Sequence, residues 1–199
     1  MPDAIDRLEQ YRDWYDRMYQ SMGEQAGTPV GGHQQKFDLL VRGGYEPWMM
    51  LLDFGCGPGT IAGYIHPERY FGVDISQTAI GLAKGWFPGH RFDIYEIGRG
   101  VAFEGIDFCV AGSVFTHTPH ELVKTCLDDI YESRCLHVGC KPMKVLFDIL
   151  EGPRNDDTKA LYWPREEFLE MAAPWFELEF METFWAGRHE HTCFRGRAV

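Results

Sequence analysis

The segment Asp53-Phe54-Gly55-Cys56-Gly57-Pro58-Gly59 sets three glycines at alternate positions behind an acid. Glycine lacks a Cβ, so the chain can turn sharply there and its backbone can approach a ligand closely. A helix beginning behind such a turn adds free N–H donors. Asp74 stands 21 positions after Asp53, and a carboxylate at that distance can accept hydrogen bonds from both hydroxyls of a ribose. A dinucleotide-binding turn would read G-x-G-x-x-G. Anchored on Gly55 and Gly57, that frame puts Thr60 where the third glycine or alanine belongs, which disfavours a dehydrogenase.

His117 is the residue best suited to proton transfer, because imidazole takes a proton near neutral pH and can activate an oxygen or nitrogen nucleophile. A residue that merely lines a pocket or caps the next helix is the competing reading. His120 reads as a solvated first-turn residue, and His189 and His191 beside Glu190 read as solvent-exposed. The six cysteines read as buried, reduced thiols. Cys135, His137 and Cys140 lack paired metal-ligand spacing, so no metal is expected. Asp148 and Asn155 do not complete a metal-binding carboxylate set either.

These residues need elements to hold them. From Asp3 to Met22 apolar residues recur every three or four positions, one face of an amphipathic helix. Gly23 to Gly32 reads as a loop and His33 to Val41 as a second helix. Strands are expected at Met49–Phe54, Tyr70–Asp74, Arg91–Ile97, Ile106–Ala111, Lys144–Leu150, Phe176–Trp185 and His191–Ala198. Short helical segments fall between them: Thr60–Ile65, one capped by Ser76, Glu121–Tyr131, and Pro164–Met171 with a proline in its first turn. Alternation of this kind predicts an α/β fold with a doubly wound, mostly parallel seven-stranded sheet. The short link Ala186–Glu190 can make only a hairpin, so one antiparallel strand is expected at or near the sheet edge.

The frame Asp53, Gly55, Gly57, Gly59, followed by Asp74, resembles the first two motifs of class I S-adenosylmethionine-dependent methyltransferases. The resemblance covers about Met49 to Val199 and implies a Rossmann-like fold in one domain over residues 1–199, with residues 1–44 a helical lid or cap. It implies S-adenosyl-L-methionine as cofactor, held by Asp53, Gly55, Cys56, Gly57, Gly59, Asp74, Ile75, Glu96, Ile97 and Ser113. Glu96 would contact the adenine amino group, with Asp93 a competitor for that place. The segment Ile106 to His117 resembles the fourth strand and active-site loop, and Tyr162 to Phe168 the start of the late helix in small-molecule branches. Phe115, Trp163 and Trp185 are candidate walls of the acceptor pocket. The tract Tyr11, Trp14, Tyr15 and Tyr19 could roof the cofactor, although packing on the sheet is the commoner use of such a stripe.

The implied activity is methyl transfer to an oxygen or nitrogen atom of a small-molecule acceptor, with His117 catalytic. Two alternatives stay open: other chemistry on bound S-adenosylmethionine, such as a lyase or cyclase, and a non-catalytic binding module. Thirty acidic residues against 19 basic give a net charge of −11, and no Lys/Arg run offers a nucleic-acid footprint. Ala111-Gly112-Ser113-Val114-Phe115 also lacks the Pro-Pro of the amino-DNA methyltransferases that flip a base. No membrane span is expected, and the N-terminus lacks the apolar core of a signal peptide, so a cytoplasmic protein is expected. A homodimer stays open.

Overall fold

A computed structural model describes residues 2–22, 32–134, 139–153, 160–186 and 189–199. Thus Cys135, His137, Asn155 and most of the Gly23–Gly32 loop lie outside the described residues. Two helices, α1 (Pro2–Met22) and α2 (Gly32–Arg42), precede the first strand, β1 (Leu51–Phe54). There follow β2 (Tyr70–Asp74), α3 (Gln77–Trp86), β3 (Arg91–Ile94), β4 (Phe108–Ala111), α4 (His120–Glu132) and β5 (Lys144–Glu151). The chain ends with β6 (Tyr162–Trp163), α5 (Arg165–Ala172), β7 (Phe176–Ala186) and β8 (His189–Ala198).

The strands order as β3-β2-β1-β4-β5-β8-β7. All neighbours on the β3-to-β5 side pair in parallel, and β8 runs antiparallel to both β5 and β7. This is the expected doubly wound sheet, with its one reversed strand next to the edge. An eighth strand, β6, was not expected: its two residues pair in parallel with Leu150 and Glu151 of β5. Because β8 occupies the other side of β5 up to Leu150, β6 takes up the side that β4 leaves when it ends at Ala111. Pro164 is the N-cap of α5 and not part of its first turn.

Every residue of β1 is buried, as a central parallel strand with both faces covered requires. Successive residues serve opposite faces. Leu52, Phe54, Phe71, Val73, Val145 and Phe147 join one core with Val123, Leu127 and Phe168. Leu51, Tyr70, Phe108 and Leu146 join the other with Leu40, Ile80 and Ala83. Each fully buried Leu or Phe stabilises the fold by about 1.5–3 kcal/mol, so the C-terminal strand ends rest on a rigid base. No helix among the described residues is long and apolar enough to cross a membrane.

Candidate functional site

Three loops meet at the carboxyl ends of β1, β2 and β4. The turn after β1 is held from beneath, since Gly55 and Cys56 both donate their N–H to the Val73 carbonyl, at 2.8 and 2.9 Å. Gly55 has φ +74°. A Cβ there would lie 2.3 Å from Val114 Cγ2, so the turn and the loop after β4 touch through a bare backbone. Gly57, at φ +55°, faces α1: its Cβ would lie 3.0 Å from the Tyr19 hydroxyl.

Asp74 closes β2. Its Oδ2 accepts from Gly57 N–H and its Oδ1 from Ser76 N–H, both at 2.8 Å. Burial raises its pKa, and those two N–H groups oppose the rise. A carboxylate offers about four acceptor positions, so lone-pair capacity remains for an incoming donor. Ser76 caps α3, its hydroxyl accepting from Ala79 N–H at 3.0 Å. The same hydroxyl donates to Asp16 of α1, and Asp16 also accepts from Thr78 N–H at 3.1 Å. Helix α1 is thereby fastened over the strand ends at the start of α3. Arg7 of α1 reaches Glu121 of α4 at 2.7 Å.

A single pocket collects Gly55, Cys56, Gly57, Asp74, Ile75, Ile97, Ser113 and His117. Leu8, Tyr11, Tyr15 and Tyr19 of α1, Lys36 of α2, Thr60, Tyr95 and Thr118 complete much of its lining. Of the aromatic tract, Tyr11, Tyr15 and Tyr19 therefore face the pocket, while Trp14 packs edge-on against Tyr15, with ring centres 4.9 Å apart. Burial, then the charge of Asp74, pushes the Tyr15 and Tyr19 phenols upward, so both stay protonated donors. The His117 ring sits edge-on to Tyr15 with centres 5.7 Å apart.

Three expected cofactor residues lie outside the lining. Asp53 is buried beneath the turn, where Tyr70 Oη donates to it at 2.7 Å. Burial pushes its pKa up to about 6. Gly59 turns at φ +80° against Phe92 and Phe87. Glu96 is exposed and pairs with Arg99 at 2.8 Å. The reason is that β3 ends at Ile94, not Ile97, so Tyr95 turns inward and Glu96 outward. Tyr95 packs on Phe54 with ring centres 4.6 Å apart and donates its hydroxyl to Asp129 at 2.5 Å. Asp129 also accepts from Gly98 and Gly100 N–H, at 2.8 and 3.0 Å, which fixes the loop carrying Ile97. The Cys56 thiol, driven upward by burial, donates to the Gly57 carbonyl and is no nucleophile.

The loop after β4 contains the one non-glycine residue with positive φ among the described residues, Ser113 at +62°. That conformation costs about 1–2 kcal/mol. Its N–H donates to Asp148 Oδ1 at 2.5 Å, and a bond to a charged acceptor contributes about 1.5–3 kcal/mol, enough to offset the strain.

Other expectations fail here. Phe115 and Trp163 are buried in the core, and Trp163 Nε1 donates to the Phe115 carbonyl at 3.1 Å. Trp185 is 67% exposed at the far edge strand. None of the three lines the pocket. His120 is buried edge-on against Trp163, with ring centres 4.1 Å apart. His191 is buried against Asp148, and only His189 is exposed as expected. Cys56, Cys109, Cys126 and Cys193 are buried free thiols as expected, whereas Cys140 is exposed and disulfide-bonded.

No curated protein matches the chain by sequence. A methyltransferase-domain family matches residues 52–139. Among solved structures, the chain is similar to a TehB-like S-adenosylmethionine-dependent methyltransferase from Corynebacterium glutamicum, at 20% identity and TM-score 0.64, covering 95% of this chain and 99% of that one. It is similar to magnesium protoporphyrin IX methyltransferase from Synechocystis with bound S-adenosylmethionine, at 15% identity and TM-score 0.72, covering 97% of both chains. An N-methyltransferase from Bradyrhizobium japonicum in complex with S-adenosylhomocysteine matches at 16% identity and TM-score 0.67, covering 94% of this chain and 97% of that one. The glycine turn, the Asp74 carboxylate and this sheet order thus stand in a chain whose residues 52–139 match a methyltransferase-domain family and whose fold is the Rossmann-like methyltransferase fold.

Proposed function

We propose that the chain moves the methyl group of S-adenosylmethionine to an oxygen or nitrogen atom of a small-molecule acceptor. The observation that carries this reading is the roof: Tyr11, Tyr15 and Tyr19 of α1 line the same pocket as the glycine turn, Asp74 and His117. A pocket roofed by the chain's own helix favours a small acceptor over a long polymer, and the net charge of −11 points the same way.

The residues present fit the cofactor. Gly55 and Gly57 leave bare backbone where side chains would intrude. Asp74 keeps acceptor capacity beyond its backbone N–H partners for the ribose hydroxyls. Ile75, Ile97 and Tyr95 provide an apolar slot for adenine, and Lys36 a cation for a carboxylate. When bound, S-adenosylmethionine supplies an electrophilic methyl group. The chain's part is to hold the acceptor in line and exclude water. In this reading α1 and α2 form a lid, and His117 removes the acceptor's proton as its nucleophilic atom attacks.

The test is product analysis with labelled S-adenosylmethionine across a panel of small hydroxyl and amine acceptors. The expected products are S-adenosylhomocysteine and a labelled acceptor. With the responding acceptor, His117→Ala should lower kcat by about 10²-fold or more at neutral pH. Release of methylthioadenosine, with no methylated product, would contradict methyl transfer.

A further inference from the structure

Behind the pocket wall, Asp148 of β5 and His191 of β8 form a buried pair, their side chains 3% and 6% exposed. His191 Nδ1 lies 3.1 Å from Asp148 Oδ2, while Asp148 Oδ1 accepts the Ser113 N–H at 2.5 Å. An ionised carboxylate only accepts, so the imidazole nitrogen facing it carries the proton. Phe184 stacks on the His191 ring, with centres 5.2 Å apart and planes at 27°, which fixes the ring's plane. The continuous chain runs His191, Asp148, Ser113, pocket.

We infer that Asp148 and His191 are positioning residues: together they hold Ser113 in its left-handed conformation and so set the wall that the loop after β4 presents to cofactor and acceptor. Several contacts pass that position on. Ser113 itself lines the pocket, and its carbonyl accepts from the Thr116 hydroxyl at 2.8 Å. Val114 abuts the bare backbone of Gly55. The Val114 carbonyl accepts from both His117 N–H and Thr118 N–H at 3.0 Å, so the residue beside Ser113 anchors the turn that carries His117. A carboxylate without His191 would keep one buried oxygen unsatisfied and be free to turn about its last torsion. A ring held by Phe184 removes that freedom. This is the pattern in which a second partner orients the group that touches the site. It uses one acid and one base of the C-terminal half, neither of which lines the pocket.

The inference rests on the pocket being the cofactor site, and the test separates the two. S-adenosylhomocysteine is titrated calorimetrically into the parent, His191→Phe, His191→Asn and Asp148→Asn, with the Ser113 amide proton followed by NMR and each melting temperature recorded. His191→Phe keeps ring volume and removes the donor. His191→Asn restores an N–H near the position of Nδ1. The Ser113 amide, bonded to a carboxylate, should resonate far downfield in the parent. It should move upfield in His191→Phe and Asp148→Asn and return in His191→Asn. Affinity should fall about fivefold in His191→Phe and recover to within about twofold in His191→Asn; the melting temperature should fall in His191→Phe, which leaves a buried carboxylate oxygen unpaired, and rise again in His191→Asn. A parent that binds while all variants keep its affinity and its Ser113 shift would overturn the positioning role. A folded parent that does not bind would overturn the cofactor site instead, and the Ser113 shifts would still decide the geometry. If His191→Phe lowers the melting temperature while its affinity and its Ser113 shift stay at the parent's values, the pair is structural only and the inference fails.

Discussion

On the β1–β3 side of the sheet the pocket is made largely of backbone, whereas on the β4–β8 side it is made by side chains that cross between distant elements. The turn after β1 needs a few consecutive residues, two N–H groups on the Val73 carbonyl, and Asp74 to take the Gly57 N–H. The wall after β4 needs Asp148 from β5, His191 from β8, and Leu161 N–H on the Thr116 carbonyl at 2.7 Å. A local turn tolerates change around it but not within it. A wall tied across several strands spreads its dependence over residues far apart in sequence. The roof is a third case, since α1 is hydrogen-bonded to the start of α3 by Asp16 and packs there through Tyr19 on Ala79.

The largest effect expected is on the turn itself. Gly55→Ala must place a Cβ at φ +74°, 2.3 Å from Val114 Cγ2. Left-handed strain and overpacking together should cost about 2–5 kcal/mol, read by urea denaturation. A loss under about 1 kcal/mol would show that the turn and the wall can part freely.

Asp53 comes next, and here the sign matters. Its folded pKa of about 6 lies above the usual 3.8, so the fold favours its protonated form. That contribution is fully present below about pH 4 and is lost as pH rises through about 6. Asp53→Asn keeps an acceptor for Tyr70 without the buried charge. It should be more stable than the parent at pH 7, by roughly 3 kcal/mol at most, with the gap closing towards pH 4. Melting temperatures across that window check this, and a pH-independent difference would contradict it.

Asp16→Ala should cost about 1 kcal/mol, as loss of a helix cap does. Amide exchange should quicken along α1 while β1 and β2 keep their protection. The smallest effect is assigned to Glu96→Ala. An exposed pair with Arg99 leaves affinity for S-adenosylhomocysteine within about twofold. A tenfold loss would bring Glu96 back to the adenine.

What was legible in the sequence follows the same division. Strand β2 and the Ser76 cap were read within their own few residues, and both stand as read. The glycine turn and Asp74 were found because their spacing is short and their chemistry lies in backbone and carboxylate. Glu96 was placed by continuing β3 three residues beyond its end, whereas the chain leaves the strand at Ile94 and brings Tyr95 and Ile97, not Glu96, to the pocket. Phe115, Trp163 and His191 were misread because an aromatic or imidazole near a strand end has no visible partner in one dimension. Their burial depends on β6, a two-residue strand set by pairing with β5, and on β8 lying beside β5. Lys36 and Asp16 gave no signal, being ordinary surface residues of amphipathic helices until α1 and α2 are packed.

The central claim is that the pocket under α1 holds S-adenosylmethionine with Asp74 on its ribose. Calorimetric titration of S-adenosylhomocysteine into the parent and Asp74→Ala tests it directly. The expected result is micromolar-range binding by the parent, weakened at least tenfold, or about 1.4 kcal/mol, by the substitution. Equal affinity in the two folded proteins would contradict the ribose contact, and no binding by a folded parent would contradict the site.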